Sequence, residues 1–131
     1  MSDQNKIPTL NVPGDTEGVT YRGDSWGGLD LQLREELTPG VWTDMNIAGA
    51  VFRLELYLKG ALVGTLTNGV GGSGISIVNA AEGRFRLDPI TRVPYPPGVL
   101  QGDLQITFSN NKRLTYCKVV WPIQEDATRN G

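Results

Sequence analysis

Hydrophobic and polar residues alternate along much of the chain, in short segments separated by glycine, proline, asparagine or aspartate. The clearest segment is residues 51–58, where every second residue from Phe52 to Leu58 is apolar. A period of two places these side chains on one face of a β-strand. We therefore predict a half-buried strand over residues 51–58.

Similar segments recur along the chain, and none of them has a convincing helical period. The other predicted strands are residues 18–21, 29–33, 61–67, 74–78, 85–87, 99–109 and 113–121. Because Ser109, Asn110, Asn111 and Lys112 include residues that tolerate positive φ, the last two strands are predicted to form a hairpin. About eight short strands with regular turns indicate an all-β fold, an antiparallel β-sandwich.

Two polar stretches flank this series of strands. Residues 1–17 contain Pro8 and Pro13, and residues 122–131 begin with Pro122. We expect extended terminal arms on either side of one sandwich domain, residues 18–121, with unpaired backbone groups that a neighbouring subunit can satisfy. The alternative is that the arms fold back onto the sandwich. The candidate interaction residues of the arms are Ile7, Pro8, Leu10, Val12, Pro13, Pro122 and Ile123.

Charge and hydropathy narrow the classes of partner. The chain has 12 basic and 14 acidic residues and no long run of one sign, so we do not expect it to bind nucleic acid. Its apolar runs fall far short of the roughly 20 residues that cross a bilayer, so no membrane span is expected. The first ten residues lack a basic start and an apolar core, so synthesis in a cytoplasm without a signal peptide is expected.

Few residues have the chemistry of a catalyst. The chain has no histidine, which removes the commonest general base and metal ligand, and its one cysteine, Cys117, is expected to be buried and inert. Five aspartates are candidates for paired-carboxylate chemistry, but nothing in the sequence selects a pair: Asp24, Asp30, Asp44, Asp88 and Asp103. We predict a protein that is not an enzyme and has no cofactor or metal.

Three short motifs have both a functional and a structural interpretation. Gly69, Gly71 and Gly74 have the spacing of a dinucleotide-binding loop, but strand-like residues follow them, so we predict an inter-strand loop. Residues 22–24 spell RGD, a tripeptide that some integrins bind; we predict instead that Gly23 and Asp24 shape a turn after Arg22, with Trp26 covering the sheet. Exposed aromatics could stack on sugars, with Trp42, Tyr95 and Trp121 as candidates.

Several segments, in order and spacing, resemble a group of small phage proteins and domains that includes the N-terminal domains of upper-baseplate proteins. They are residues 21–26 (YRGDSW), 50–58, 74–77 (GISI), 82–88 (EGRFRLD), 102–107 (GDLQIT), 110–111 (NN) and 126–129 (DATR). Residues 44–49 depart from the Asp-Leu-Thr-Gly that usually precedes the central strand, and residues 38–43 are an addition.

The resemblance implies an immunoglobulin-like sandwich that serves as an attachment or packing module in a virion. The expected partners are other phage virion proteins, bound in multiple copies on a symmetric particle after synthesis in the bacterial cytoplasm. Tail, baseplate or fibre attachment is the first expectation, and capsid decoration is the alternative. The alternative from another functional class is a small carbohydrate-binding module. A hydrolase is the least favoured of the four functions.

Overall fold

The computed structural model describes residues 9–14 and 18–125, and nearly all of the regular structure in them is β. Besides the strands there is one turn of 3₁₀ helix, Ala80–Glu82. The strands are β1 (Thr9–Asn11), β2 (Thr20–Tyr21), β3 (Leu29–Gln32), β4 (Arg34–Thr38), β5 (Val41–Asp44), β6 (Val51–Leu58), β7 (Ala61–Thr67), β8 (Ile75–Asn79), β9 (Arg84–Leu87), β10 (Gly98–Thr107) and β11 (Arg113–Gln124).

The larger sheet has the strand order β1, β11, β10, β6, β7, with β2 also paired to β11. Its central strands are antiparallel, whereas β1 and β2 both run parallel to β11. The hairpin from β10 to β11 closes through the backbone N–H of Phe108, which donates to the carbonyl of Lys112 at 2.8 Å. Asn111 has φ 70°, which is the left-handed conformation that asparagine tolerates. The predicted hairpin is therefore confirmed.

The smaller sheet is antiparallel, with β9 between β3 and β8. Phe52 on β6 and Phe85 on β9 stack with ring centroids 4.4 Å apart, so the two sheets face each other across a shared core. Burying an apolar side chain of this size stabilises the fold by about 1.5–3 kcal/mol. The predicted all-β, sandwich-like class is confirmed, and the predicted bounds of β6 and β7 are the observed ones.

One hairpin that the alternation pattern did not predict stands apart from both sheets. Strands β4 and β5 pair with each other, and within the described residues neither pairs with another strand. Every residue of β4 is exposed, so β4 has no buried face. A strand that contributes nothing to a core leaves no period-two signal in the sequence.

The C-terminal boundary predicted for the sandwich is wrong. Strand β11 continues through Gln124, and Ile123 is buried in the core, so Pro122 and Ile123 belong to the sheet rather than to an arm. The carbonyl of Val120 accepts a hydrogen bond from the backbone N–H of Val12, so the backbone of residue 120 faces the side of β11 on which β1 and β2 lie. Because alternate residues of a strand face the same side, the N–H that Pro122 lacks would also face that side. Residue 122 has no β1 or β2 partner on that side, which is why the sheet accepts a proline there.

The N-terminal boundary also needs correction. Leu10 lies in β1, where it is half-buried opposite Val119, and Val12 is buried in the core. The polar composition of residues 1–17 predicts an arm, but two apolar side chains with the spacing of a strand are enough to extend a sheet edge. Residues 9–14 therefore follow the fold-back alternative, and the predictions for Ile7 and Pro8 lie outside the described residues.

Replacing Ile123 with alanine tests the placement of this residue. A buried isoleucine that loses its side chain costs about 2–5 kcal/mol, whereas an exposed arm residue costs less than about 0.5 kcal/mol. We expect the larger loss in the free energy of urea unfolding. Val99→Ala is the control, since Val99 is exposed on β10 directly opposite Pro122. Equal, small losses for the two variants would return residue 123 to an arm.

Candidate interaction surfaces

The Arg22-Gly23-Asp24 segment forms a turn immediately after β2. The backbone N–H of Asp24 donates to the carbonyl of Tyr21 at 3.2 Å, and Gly23 has φ 90°, where a side chain is strained. Two further backbone hydrogen bonds tie the turn to Val93: Gly23 donates to its carbonyl at 2.9 Å, and Val93 donates to the carbonyl of Asp24 at 2.8 Å. The glycine and aspartate backbones therefore have a structural role, while Arg22 is exposed.

Trp26, the fourth residue of this predicted motif, belongs to the core. Its ring centroid lies 4.6 Å from that of Trp121, and its Nε1 donates to the carbonyl of Pro13 at 2.9 Å. That hydrogen bond fastens the N-terminal segment to the sandwich. Leu10, Val12 and Pro13 thus contact their own domain, as Ile123 does. All five predicted arm residues that the structure describes, these four and Pro122 in β11, therefore belong to the domain itself.

The other two candidates for stacking on sugars, Tyr95 and Trp121, do not lie on the surface as Trp42 does. Tyr95 and Trp121 are buried and meet edge to face, with centroids 5.4 Å apart. A buried ring has no free face for a sugar, so the expectation of exposure was wrong for these two residues. Only Trp42 of the three predicted aromatics is exposed, on β5.

The outer face of the larger sheet carries a polar cluster on β6. Arg53 donates through Nη2 to Glu55 Oε2 at 3.0 Å, and the hydroxyl of Tyr57 donates to Glu55 Oε1 at 3.0 Å. Both hydrogen bonds lower the pKa of Glu55, and the one from Arg53 has the larger effect. The hydrogen bond to the Glu55 carboxylate raises the pKa of Tyr57. A shallow depression of about 440 Å³ lies beside Tyr57, bounded on its other side by Lys118.

The candidate carboxylates do not gather at one place. Asp44 pairs with Arg34 at 3.4 Å, Asp30 lies 3.7 Å from Arg86, and Asp88 accepts from the hydroxyl of Ser76 at 3.0 Å. In residues 9–14 and 18–125 no cluster of three or more histidine, cysteine, aspartate or glutamate residues has the arrangement to hold a metal ion.

The glycine-rich segment is a loop between two strands. It follows β7 and ends at Gly74, immediately before β8. A dinucleotide-binding loop needs a helix at that point, whose N-terminus holds the pyrophosphate. The prediction of an inter-strand loop is therefore confirmed.

The β4–β5 hairpin (residues 34–44) exposes three large apolar side chains. Leu37, Val41 and Trp42 are 61%, 52% and 51% exposed. The tip is ordered locally, since the backbone N–H of Gly40 donates to Glu36 Oε2 at 2.8 Å. A two-stranded hairpin with apolar residues in water is marginally stable alone, so this one gains from any surface that covers it.

The base of the same hairpin is fixed to the sandwich by polar contacts. Gln32 Nε2 donates to Asp44 Oδ1 at 3.1 Å, and the backbone N–H of Met45 donates to the carbonyl of Leu33 at 3.1 Å. Leu33 is itself buried. The sequence carried one signal for this element, the Pro39-Gly40 turn inside the added residues 38–43.

Comparison with known proteins adds no relative: no family model matches the chain, and no curated protein matches it significantly in sequence. Across the described residues, no helix has the length and apolar character needed to span a membrane.

Cys117 is predicted to react slowly with thiol reagents. It lies in β11, where its side chain is buried, and this burial, with a smaller effect of Asp103, raises its pKa to about 11. The thiolate is the reactive form of cysteine. Because the pKa of Cys117 is raised to about 11, almost no thiolate is present at pH 7. We expect labelling by a maleimide to be slow in the native protein and complete in urea. Stoichiometric labelling of the native protein within seconds would show that the thiol is accessible.

Proposed function

We propose that the protein is a non-enzymatic structural subunit of a bacteriophage particle, which binds other virion proteins by surface complementarity. The resemblance of residues 21–26, 74–77, 82–88, 102–107 and 110–111 to phage baseplate-type domains supports this role. The strand order supports an immunoglobulin-like identity, because β6, β10 and β11 follow the order of strands C, F and G, and β3, β9 and β8 that of B, E and D. Attachment in the tail, baseplate or fibre is the proposed location.

The observation that carries the proposal is the exposed β4–β5 hairpin. Tryptophan is enriched among the residues that dominate binding energies, and Trp42 is half-exposed on a hairpin that also exposes Leu37 and Val41. The hairpin is held at its base by Asp44, which contacts both Gln32 and Arg34. A partner that covers the hairpin therefore buries apolar area without having to order a loose loop.

Repetition strengthens such a contact. One hairpin has room for a few anchoring side chains, so a single copy is expected to bind weakly. On a symmetric particle many copies engage together, and the second and later contacts become intramolecular. Modest contacts at each site are then sufficient for a stable assembly.

Truncating the exposed indole tests this function. We expect Trp42→Ala to leave the melting temperature within about 2 °C of the original, because the side chain contributes little to the core, and to reduce incorporation into particles at least about tenfold. Incorporation is measured by mass spectrometry of particles purified after complementation, with heads and tails analysed separately.

Val99→Ala is the matched control, since Val99 on a strand of the larger sheet is 50% exposed, close to the 51% of Trp42. Normal incorporation of both variants would contradict the role of the hairpin. Presence of the chain in heads and its absence from tails would contradict the tail location and support capsid decoration.

A further inference from the structure

The chain contains a long segment with no charged residue. Between Lys59 and Glu82 there is no lysine, arginine, aspartate or glutamate, although 26 such residues (12 basic and 14 acidic) are distributed over the 131 positions. The segment includes β7, the glycine-rich loop and β8. We call residues 60–81 the uncharged edge.

The fold places this segment at one side of the sandwich. Strand β7 is the last strand of the larger sheet, and β8 is an outer strand of the smaller one. A bridge between Thr67 and Gly74 holds them together at the loop. The outer strands of the two sheets therefore meet where β7 ends, and both belong to the uncharged edge.

Part of β7 has backbone groups directed away from its own sheet. The N–H of Thr67 donates outward, to the carbonyl of Ser73 at 2.9 Å. The period of two directs the backbone of Thr65 the same way, and in the described part of the chain no strand pairs with Ala61–Thr65 on that side. A bulge at Val63, opposite the Leu56–Tyr57 step, adds local twist to the free edge.

Natural edge strands usually carry lysine, proline or inward-facing charge that discourages pairing with another chain. Strand β7 has none of these; the bulge at Val63 is its one feature of the kind that natural edges use against pairing, and Leu62 beside it is 53% exposed. On β6, Arg53 and Glu55 are 3.0 Å apart and neutralise each other, and Lys59, the nearest charge along the chain, lies in the turn before β7. The free edge thus has backbone pairing capacity, an exposed apolar side chain and no charged residue of its own.

We propose that a second copy of this chain pairs its own β7 antiparallel to this one, across a two-fold axis, and joins the two larger sheets into one. A two-fold contact brings the same surface patch of each copy together, so charge at its centre would face like charge. Because β7 carries no charged residue, that repulsion is absent at the centre of the contact, and antiparallel pairing places the two copies of Lys59 at opposite ends of it. The inference concerns a surface distinct from the β4–β5 hairpin and does not depend on the virion assignment.

Sedimentation velocity of the full chain, from about 10 µM to about 1 mM, tests the proposal. We expect the mean mass to rise from 14.2 kDa towards twice that value, with no change between 50 and 500 mM salt because no charged contact is involved. Leu62→Lys should raise the dissociation constant at least about tenfold, since it places like charges near the axis. Val99→Lys, the same change at a side chain of similar exposure, should leave it unchanged.

Hydrogen exchange of the unaltered chain provides a reading that does not depend on a variant. The peptide covering β7 should exchange more slowly at the high concentration than at the low one, while β4 should exchange alike at both. A mass of one chain throughout the range, equal effects of the two lysine variants, or β7 exchange that is independent of concentration would each overturn the proposal.

Discussion

The contact between Trp26 and Trp121 fixes the arrangement of elements that are far apart in sequence. The Nε1 of Trp121 donates to the hydroxyl of Thr20 at 3.0 Å, which satisfies that buried residue and holds β2 to β11. The Nε1 of Trp26 in turn holds the carbonyl of Pro13. An indole N–H left unpaired in a core costs about 1–3 kcal/mol. The hydroxyl of Thr20 and the carbonyl of Pro13 are therefore held in place together with the two rings. The turn at residues 22–24 and both ends of the described chain depend on this pair.

A third ring, that of Tyr95, joins this tryptophan pair and constrains β7 at the other edge of the larger sheet. Tyr95 packs edge-on against Trp121, and its ring approaches β7 so closely that a Cβ at Gly64 would lie 2.6 Å from it. Gly64 is therefore the residue on which the close approach of β7 depends. From there the strand passes through its bulge, which turns Leu62 to the outer face opposite Tyr57. Core packing thus determines what the uncharged edge presents to a partner.

Sequence reasoning succeeded where one face of a strand is buried and failed where that condition is absent. The alternation from Phe52 to Leu58 gave β6 its observed bounds because Phe52, Leu54 and Leu56 are buried. The β4–β5 hairpin has no such face, and β1 is too short for a pattern to emerge. The polar composition after Pro122 predicts an arm from residue 122 onward; only the gap between β1 and β2, which is a tertiary feature, lets the strand continue through this proline.

The candidate surfaces show the same division. The turn at Gly23 follows from local backbone chemistry, which a sequence carries directly. Whether an aromatic residue lies in a core or on a surface depends on tertiary packing, and the sequence grouped Trp42 with Tyr95 and Trp121 although only the first is exposed. The proposed function therefore rests on elements outside the core: the hairpin with its indole, and an edge strand that its own domain leaves open.

The division of the three tryptophans between core and surface is the central claim, and one measurement tests it directly. In a ¹⁵N-labelled sample transferred to D₂O, each indole N–H gives a separate NMR signal that disappears as it exchanges. Trp26 and Trp121 are buried and hydrogen-bonded, so two signals should persist, whereas the exposed indole of Trp42 should be lost at once. Loss of all three signals, or persistence of the signal assigned to Trp42, would contradict the account.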